Sequence, residues 1–338
     1  MRRHTSVVIP SLLLLAACGG DAKTDSAAVK QAAAPAPAPA TPAPALGAGE
    51  ARLAVDGGTI WYKVTGAGTG TPVILLHGGP GFSSYYLKPL EALGDERKVV
   101  RYDQLGGGKS SGLTDTSKIT IAHFVQELDS LRSHLGYDKV HLVGHSWGTM
   151  LGIEYYRAHP DRVASLTLAS AALDIPQWER HARVLLATLP DSMQRAVKIR
   201  EAEKKFDAPD YQAALEAFYG RYVWLRPVKA DLDSMMSQVN TTIYGYMQGP
   251  SEFTITGTLR KYDATPYLKD VKVPTLFTVG EVDEADPVTI RRHAAMVHGG
   301  KAVVIPNAAH MTTWDNPEPM IAAIRTHLRA ADAASMPK

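Results

Sequence analysis

Short apolar runs of four to six residues recur along the chain from about residue 50 onward. Most of them are continuous rather than alternating, which is typical of strands covered on both faces of a parallel sheet. The pattern predicts strands over residues 52–55, 60–64, 73–76, 98–102, 140–143, 165–169, 275–279 and 302–305. The first two strands are separated by Asp56-Gly57-Gly58, a sequence that favours a β-hairpin.

Helical periodicity lies between several of these strands, at residues 121–135, 149–159, 288–298 and 317–328. The last of these segments begins with Asn316 as an N-cap and Pro317 in the first turn, both of which favour a helix start. An alternation of strand and helix over this length predicts an α/β fold built on a mostly parallel, doubly wound sheet.

Between residues 174 and 264 the strand pattern stops, and helical segments follow one another at residues 178–188, 191–205, 210–222 and 230–239. This insertion predicts a helical cap over the active edge of the sheet, with the core divided into residues 50–173 and 265–338. Most of the aromatic residues of the cap are expected to form its core, and a minority to line an apolar pocket. They are Trp178, Phe206, Tyr211, Phe218, Tyr219, Tyr222, Trp224, Tyr244 and Tyr246.

The composition narrows the classes of function. Hydrophobic residues make up 45% of the 338 residues and charged residues 21%, which is enough apolar material for a sizeable core. The formal net charge is only +2 (36 − 34), and Arg2 and Arg3 supply that excess, so the charge gives no case for a nucleic-acid partner. The single cysteine excludes a disulfide framework and any zinc site built from cysteines. No apolar run reaches the roughly 18 residues that a transmembrane helix needs.

Residues 1–17 have the layout of a secretory signal peptide, with Arg2-Arg3 followed by a short apolar stretch. They lead into Leu15-Ala16-Ala17-Cys18, which resembles a bacterial lipobox, where the cysteine is lipidated and becomes the new N-terminus. The only cysteine of the chain stands at the position that a lipobox requires; the alternative is an ordinary signal peptide with an incidental cysteine. By the same resemblance, Gly19-Gly20 implies a lipid anchor in the bacterial cell envelope, at the periplasmic face of the outer membrane.

Residues 18–49 are predicted to form a tether. Alanine and proline alternate over residues 33–45, with prolines at positions 35, 37, 39, 42 and 44. This composition favours extended polyproline II structure, a semi-rigid spacer of about 3.1 Å per residue. The folded part would therefore stand several tens of ångströms from a membrane surface.

The segment Gly144-His145-Ser146-Trp147-Gly148 follows one predicted strand and opens the next predicted helix. This is the G-x-S-x-G pattern of a nucleophile elbow, in the strand–turn–helix context that it requires. The two glycines let the strand and helix backbones pass closely, so that the serine hydroxyl projects from a strained turn. The pentapeptide alone is weak evidence, but its context makes Ser146 the candidate nucleophile.

A serine hydroxyl attacks effectively only when a base takes its proton, so a histidine must accompany Ser146. In alpha/beta-hydrolases the order along the chain is serine, acid, histidine, with each residue on a loop after a strand. Asp283 and His310 each follow a late predicted strand, and they are therefore the candidate acid and base. Asp286 is the alternative acid, whereas His145 lies near the site but has no place in this order.

A second glycine-rich motif, His77-Gly78-Gly79-Pro80-Gly81, directly follows the predicted strand at residues 73–76. A turn at that end of a strand can aim bare backbone N–H groups into the site, and would supply one donor of an oxyanion hole. The N–H of Trp147, the residue after the nucleophile, would supply the other donor. The alternative is a tight turn that needs glycine only for its backbone conformation. That alternative does not explain why the turn occurs together with a nucleophile elbow.

From about residue 50 to residue 328 the chain resembles the proline iminopeptidases (prolyl aminopeptidases) and the related tricorn-interacting aminopeptidases. The resemblance rests on the two motifs above and on Asp103-Gln104-Leu105-Gly106, Gly280-Glu281-Val282-Asp283-Glu284 and Ala309-His310-Met311-Thr312-Thr313-Trp314. Residues 249–258, in the predicted cap, resemble the tricorn-interacting branch in particular. The chain departs from the family at residues 105–108, where an alternating Gly-x-Gly is commoner.

The resemblance implies an alpha/beta-hydrolase fold and a serine aminopeptidase. It would release an N-terminal proline or other apolar residue from short peptides or aminoacyl amides with a free N-terminus, through an acyl-enzyme, and it would need no metal or organic cofactor. The implied roles are a triad of Ser146, Asp283 and His310, oxyanion N–H groups from Gly79 and Trp147, and Glu252 and Glu284 as ligands of the substrate's α-ammonium group. Two alternatives stay open, namely a lipid-anchored amidase or esterase of the same fold and a hydrolase-fold module that binds without catalysis.

Overall fold

The structure is a computed structural model, and it describes residues 48–113 and 115–335. The predicted signal peptide, Cys18 and all but the last two residues of the predicted tether lie outside the described residues. Eight strands form one sheet. They are β1 (Gly49–Val55), β2 (Gly58–Thr65), β3 (Gly70–Leu76), β4 (Arg97–Asp103), β5 (Val140–His145), β6 (Val163–Ala169), β7 (Thr275–Gly280) and β8 (Lys301–Ile305).

The order of the strands across the sheet is β1-β2-β4-β3-β5-β6-β7-β8. The pairs β1–β2 and β2–β4 are antiparallel, and all pairs from β4–β3 to β7–β8 are parallel, so the predicted mostly parallel sheet is confirmed. Each predicted strand coincides with an observed strand, and no end of an observed strand lies more than three residues beyond the predicted end. The predicted hairpin is also present: Val55 pairs with Gly58, and Gly57 in the two-residue loop has a φ of 87°.

Helices pack against the sheet and fill the segment between β6 and β7. In chain order the α-helices are α1 (Ile121–His134), α2 (Trp147–Ala158), α3 (Ile175–Leu186), α4 (Asp191–Glu203), α5 (Pro209–Tyr222), α6 (Lys229–Met236), α7 (Thr241–Met247), α8 (Pro287–Met296), α9 (Thr312–Asp315) and α10 (Pro317–Ser335). Short 3₁₀ helices cover Ser84–Asp95, Thr116–Lys118, Pro160–Arg162, Thr258–Lys261 and Thr265–Asp270. The four helices predicted between strands and at the end of the chain correspond to α1, α2, α8 and α10.

Two hydrophobic clusters divide the core by the faces of the sheet. Along β3, Ile74 and Leu76 belong to one cluster, and Val73 and Leu75 belong to the other. Buried residues of α1, α2 and α8 join the first cluster, and those of Ser84–Asp95 and α10 join the second. Because a strand points alternate side chains to opposite faces, this division means that both faces of the sheet are covered, as the continuous apolar runs predicted.

Two of the longer helical segments outside the cap differ clearly from the prediction. Ser84–Asp95 forms a 3₁₀ helix that was not predicted, since Pro89 lies inside it and interrupts any α-helical hydrogen-bond pattern. The last helix, α10, ends at Ser335, seven residues beyond the predicted end. Alanine favours helix continuation, and Ala331 in this extension is buried, so packing supports the additional turns.

The segment between β6 and β7 contains α3 to α7. Every residue of this segment is described, and none of them belongs to a β-strand. The helix predicted over residues 230–239 ends at Met236, and the unpredicted α7 starts after Asn240, whose side chain caps it. An isolated bridge between Asp174 and Asp263 holds the two ends of this segment together. The domain boundaries themselves stay a prediction.

Candidate active site

Ser146 lies in the tight turn between β5 and α2, at the carboxyl edge of the parallel strands. Its backbone φ is 55°, a left-handed conformation that residues other than glycine rarely adopt. A Cβ on Gly144 would lie 2.3 Å from the Gly148 carbonyl oxygen, and one on Gly148 would lie 2.1 Å from the Leu76 carbonyl oxygen. The close crossing of strand and helix therefore requires both glycines, and it presents the serine as a nucleophile elbow does.

His310 and Asp283 are brought together by the loops that follow β8 and β7. The Nδ1 atom of His310 lies 2.9 Å from Oδ1 of Asp283, and both side chains are buried. Since a carboxylate only accepts, Nδ1 carries the proton and Nε2 is free to act as a base. Ser146 and His310 line the same cavity, although no hydrogen bond joins their side chains among those of the described residues. Such contacts are often loose in enzymes without a bound substrate.

Further donors hold the carboxyl group of Asp283. The Ser170 hydroxyl donates to Oδ2 at 2.6 Å, and the N–H groups of Gly280 and Ala285 donate at 3.1 and 2.8 Å. Burial by itself would raise the pKa of Asp283, but His310 and the hydrogen bonds from His310, Ser170 and Ala285 outweigh it, so the pKa lies below its usual value. Asp283 is therefore an anion that can orient His310 and stabilise its protonated form.

The alternative acid, Asp286, lies at the N-terminus of α8. Its carboxyl oxygens accept hydrogen bonds from the N–H groups of Val288 and Thr289, each at 3.1 Å. These are the contacts of an N-cap residue, which stabilises a helix start. The structure thus brings Asp283, and not Asp286, into contact with His310.

Gly79, Ser146 and Trp147 line a common hollow. Gly79 has a φ of 113°, and a Cβ there would lie 2.8 Å from the Phe82 nitrogen, so the turn requires glycine. Among the hydrogen bonds of the described residues, neither the Gly79 nor the Trp147 N–H serves as a donor. Two free donors beside a serine hydroxyl can hold the negative oxygen of a tetrahedral intermediate.

A chain of buried hydrogen bonds connects the glycine-rich turn to the loop of His310. The Gly78 N–H donates to the Tyr86 hydroxyl at 2.6 Å, that hydroxyl lies 2.8 Å from His145 Nδ1, and His145 Nε2 lies 2.9 Å from the His310 carbonyl oxygen. A carbonyl oxygen only accepts, so Nε2 carries the proton and Nδ1 accepts from Tyr86. Burial, assisted by His310, lowers the pKa of His145 to about 3. His145 is therefore a neutral link between two parts of the site.

Gln104 connects the same turn to the nucleophile elbow. Its Oε1 atom accepts from Trp147 Nε1 at 2.8 Å, and its Nε2 atom donates to the His77 carbonyl oxygen at 3.1 Å. Its own N–H donates to His77 Nε2 at 2.9 Å. All three side chains are buried, so these bonds hold the two segments that carry the Gly79 and Trp147 N–H groups in one arrangement.

Two carboxyl groups approach the site, one from the cap and one from the core. Glu252 accepts from the Tyr244 hydroxyl at 2.6 Å and from Gln248 Nε2 at 3.3 Å. Glu284, in the loop after β7, is fully buried, and neither of its carboxyl oxygens has a hydrogen-bond partner among the described residues. Its Oε1 atom lies 3.9 Å from Nε2 of His310. The structure thus brings both candidate amine ligands to the neighbourhood of the candidate base.

The environment opposes ionisation of these two carboxyl groups. Burial, followed by the charges of Glu252 and Asp283, holds the pKa of Glu284 well above its usual value. Burial also raises the pKa of Glu252, although the hydrogen bond from Tyr244 and the proximity of His310 oppose the increase. A half-buried carboxyl group beside a fully buried one that has no hydrogen bonds among the described residues is a site that a cationic group would complete.

A cavity of about 310 Å³ opens beside Ser146 between the core and the cap segment. Tyr219, Trp224 and Tyr244, all among the aromatic residues of the predicted cap, line it. Trp178 lines a smaller hollow on another side of Ser146, and its ring packs edge-on against that of His310 with centroids 5.5 Å apart. Of the other cap aromatics, Tyr211 and Phe218 are fully buried and Tyr246 is exposed.

Sequence reasoning missed two residues that make contacts in this site. Ser170 directly follows β6, and its position at the carboxyl end of a parallel strand is the one signal that could have singled it out. Tyr86 lies in the 3₁₀ helix Ser84–Asp95 and carries no such signal, because its role depends on contact with His145, 59 residues further along the chain.

Comparison with known proteins agrees with this geometry. Residues 71–317 match the family described as alpha/beta hydrolase fold. A proline iminopeptidase of Heyndrickxia coagulans is 37% identical over 290 residues, which cover 83% of this chain and 99% of that protein. The crystal structure of a proline iminopeptidase of Mycobacterium smegmatis gives a TM-score of 0.78 at 32% identity, covering 85% of this chain and 100% of that one. The crystal structure of VinJ gives 0.80 at 32% identity, with 83% and 98% covered.

These similarities extend over nearly the whole length of the relatives, and they include the core and the segment between β6 and β7. The predicted fold class and the predicted resemblance to the proline iminopeptidases are both confirmed. The chain therefore belongs to the proline iminopeptidase family of alpha/beta hydrolases and is a hydrolase enzyme.

Proposed function

We propose that the protein is a serine aminopeptidase that releases an N-terminal residue, proline or another apolar residue, from short peptides with a free N-terminus. The observation that carries this proposal is the buried, unpaired carboxyl group of Glu284 near Glu252. Leaving such a group without a hydrogen-bond partner costs about 1–3 kcal/mol of folding stability. A function that binds a cation at this place explains why the fold carries that cost. Proline as the first residue is supported by the names of relatives in Heyndrickxia coagulans and Mycobacterium smegmatis.

The α-ammonium group of a peptide has the charge and the donors that this pair of carboxyl groups lacks. A cation relieves the repulsion between Glu252 and Glu284, and so favours the ionised form of both. Each charge-assisted hydrogen bond would contribute about 1.5–3 kcal/mol to binding. An amine held near His310 places the adjoining carbonyl group beside Ser146, so the first peptide bond is the one attacked.

In the proposed mechanism the Ser146 hydroxyl oxygen attacks the carbonyl carbon of the first residue while His310 Nε2 takes the hydroxyl proton. Asp283 stabilises the protonated His310, and the N–H groups of Gly79 and Trp147 hold the oxyanion. The C–N bond then breaks, and His310 gives its proton to the departing amine. Water attacks the acyl-enzyme while His310 takes one of its protons, and the first residue leaves as Ser146 regains that proton.

Free-amine and N-acetylated substrates test this function. We expect Pro-naphthylamide to exceed acetyl-Pro-naphthylamide in kcat/KM by about a hundredfold or more, because acetylation removes the positive charge and its hydrogen bonds. Glu252→Gln and Glu284→Gln should each shrink that ratio, with a smaller effect on a simple ester that has no amine.

Glu318→Gln, a change of an exposed glutamate on α10, is the matched control and should leave the ratio as it is in the wild type. Equal rates on the two naphthylamides would contradict the aminopeptidase function, and would favour an amidase or esterase of the same fold.

We also propose that Cys18 carries a lipid anchor and that the tether holds the enzyme at the periplasmic face of the outer membrane. The support is the lipobox-like sequence around Cys18, which lies outside the described residues. Of the helices in the described part of the chain, none has the length and apolar character needed to cross a membrane. Peptides within the cell envelope would then be the available substrates.

A further inference from the structure

The space around Ser146 is divided into two unequal parts. The large cavity, about 310 Å³, has mainly apolar walls that include Leu215, Trp224 and Val239. The small hollow, about 10 Å³, lies on another side of the serine. Ser146 and Glu252 line both spaces, so the reacting serine and the cap carboxyl group of the proposed amine site lie at their junction.

The position of His310 decides which part of a substrate the large cavity receives. His310 lines the large cavity but does not line the small hollow. A general acid must lie within hydrogen-bond reach of the nitrogen that it protonates. The departing amine therefore lies on the side of the large cavity, and the group attached to that amine extends into it.

We propose that the large cavity binds the leaving group and selects substrates in which that group is bulky and apolar. The inference rests on the proposed aminopeptidase function. The substrate class is then peptides and aminoacyl amides with an aromatic or large aliphatic group directly after the first peptide bond. A cavity of about 310 Å³ lies in the size range of sites that bind small organic groups.

The chemistry of the walls favours an aromatic group. Tyr219 packs edge-on against Trp224 with ring centroids 5.1 Å apart, and Phe82 packs against Tyr244 at 5.7 Å. Aromatic rings at such distances offer faces and edges to a further ring. Met236 adds a flexible side chain that can adapt to groups of different shape.

The charges of the cavity walls also favour a neutral, apolar leaving group. Among the described residues that line the large cavity there is no lysine and no arginine, and Glu252 is acidic. The carboxylate of a free dipeptide would therefore enter without a cationic partner, which is unfavourable in an apolar space. Neutral leaving groups, such as the amide of an apolar residue, fit the cavity better.

Two pairs of dipeptide amides test the proposal. Pro-Phe amide should exceed Pro-Gly amide in kcat/KM by about tenfold or more, which is the gain expected from burial of an aromatic side chain. Phe-Gly amide should show no comparable advantage over Pro-Gly amide, because the first residue would not occupy the large cavity.

A matched pair of variants locates the effect. Met236 and Met296 are both exposed and each is the last residue of its helix, α6 and α8, but Met296 does not line the large cavity. Met236→Gln should lower the ratio of Pro-Phe to Pro-Gly amide by about threefold or more. Met296→Gln should leave that ratio unchanged. Leu215→Asp should lower the ratio further, and circular dichroism of this variant reports whether it folds.

A ratio of Pro-Phe to Pro-Gly amide near one in the wild type would overturn the proposal. An effect of Met236→Gln confined to the ratio of Phe-Gly to Pro-Gly amide would also overturn it, because that result places the first residue in the large cavity. Failure of the proposed aminopeptidase function has a separate signature. Acetyl-Pro-Phe amide would then be cleaved as fast as Pro-Phe amide, and the ratio between leaving groups could still be measured.

Discussion

At the scale of single residues, the carboxyl group of Glu284 is the one whose burial we expect to affect the stability of the fold as the pH changes. Its carboxyl group is fully buried and without hydrogen bonds among the described residues, and burial together with Glu252 and Asp283 holds its pKa well above the usual 4.5. When folding raises the pKa of a carboxyl group, its stabilising contribution is fully present below the unfolded-state pKa. That contribution is lost as the pH rises through the folded-state pKa. The loss of stability caused by Glu284 therefore appears as the pH rises above the unfolded-state pKa of the carboxyl group.

Glu284→Gln should accordingly stabilise the fold at neutral and alkaline pH, because glutamine stays neutral at every pH. We expect the free energy of unfolding at pH 8 to rise by roughly 1.4 kcal/mol for each pH unit by which the folded-state pKa of the wild-type carboxyl exceeds its unfolded-state pKa. At a pH of about 3 the gain should vanish, since the wild-type carboxyl is then protonated in both states.

Chemical denaturation at the two pH values measures this difference. Glu318→Gln, at an exposed position, should show no pH-dependent gain. A Glu284→Gln variant that is less stable than the wild type at pH 8 would mean that the carboxyl group has a partner that stabilises it.

At the scale of elements, the site is assembled from loops at the carboxyl ends of the parallel strands. The glycine-rich turn follows β3, Ser146 follows β5, Ser170 follows β6, Asp283 follows β7 and His310 follows β8. Loops are individually adaptable, so their mutual positions depend on the buried bonds between them. The link from Gly78 through Tyr86 and His145 to His310 connects the turn after β3, the end of β5 and the loop after β8.

Tyr86→Phe should weaken catalysis more than substrate binding. The change leaves the Gly78 N–H and His145 Nδ1 without partners in a buried place, which releases the turn that carries the Gly79 N–H. We expect kcat to fall by about ten- to a hundredfold with little change in KM, because oxyanion stabilisation acts only in the transition state.

Tyr102→Phe is the matched control for that change. Tyr102 is fully buried in β4, and its hydroxyl has no hydrogen-bond partner among the described residues. Its removal should therefore leave kcat and KM unchanged. Steady-state kinetics with Pro-naphthylamide would contradict the positioning role of Tyr86 if the two variants behaved alike.

A second serine–histidine–aspartate array, elsewhere in the sheet, shows why such contacts alone do not define an active site. His141 Nδ1 lies 2.7 Å from the Ser165 hydroxyl, and His141 Nε2 lies 3.0 Å from Asp332 Oδ1. Ser165 is fully buried, so no substrate can reach it. Asp332 also pairs with Arg97 at 2.9 Å, and the array attaches α10 to the strands of the sheet. Its role is structural.

At the scale of the whole molecule, the proposed anchor and tether would decide where the enzyme meets its substrates. We expect the mature protein to start at Cys18 with a diacylglyceryl group on the thiol, because the lipobox-like sequence ends there. Mass spectrometry of the membrane-extracted protein should find the lipid-modified N-terminal peptide. An unmodified peptide spanning residues 17–19 in that extract would refute the anchor. Cys18→Ser should move the enzyme out of the membrane fraction with its kcat/KM unchanged.

The sequence by itself determined the fold class and nominated most of the candidate site, because the signals for both are local. Each strand is a short apolar run, and Ser146, Asp283 and His310 each follow such a run. The carboxyl ends of parallel strands share one edge of a sheet, so the order of these residues along the chain was enough to bring them together. The elbow glycines are local as well, since they serve the crossing of two consecutive elements.

The tertiary structure alone decided the contacts between segments that are far apart in the chain. Ser170 reaches Asp283 across 113 residues, and His145 reaches the His310 carbonyl oxygen across 165 residues. No local pattern specifies such pairs, because they form only when packing sets the loops side by side and excludes water. For the same reason the sequence names Glu284 as a candidate only by resemblance, whereas burial in the folded protein leaves its carboxyl group unpaired. The unequal spaces beside Ser146 are likewise what packing leaves unfilled.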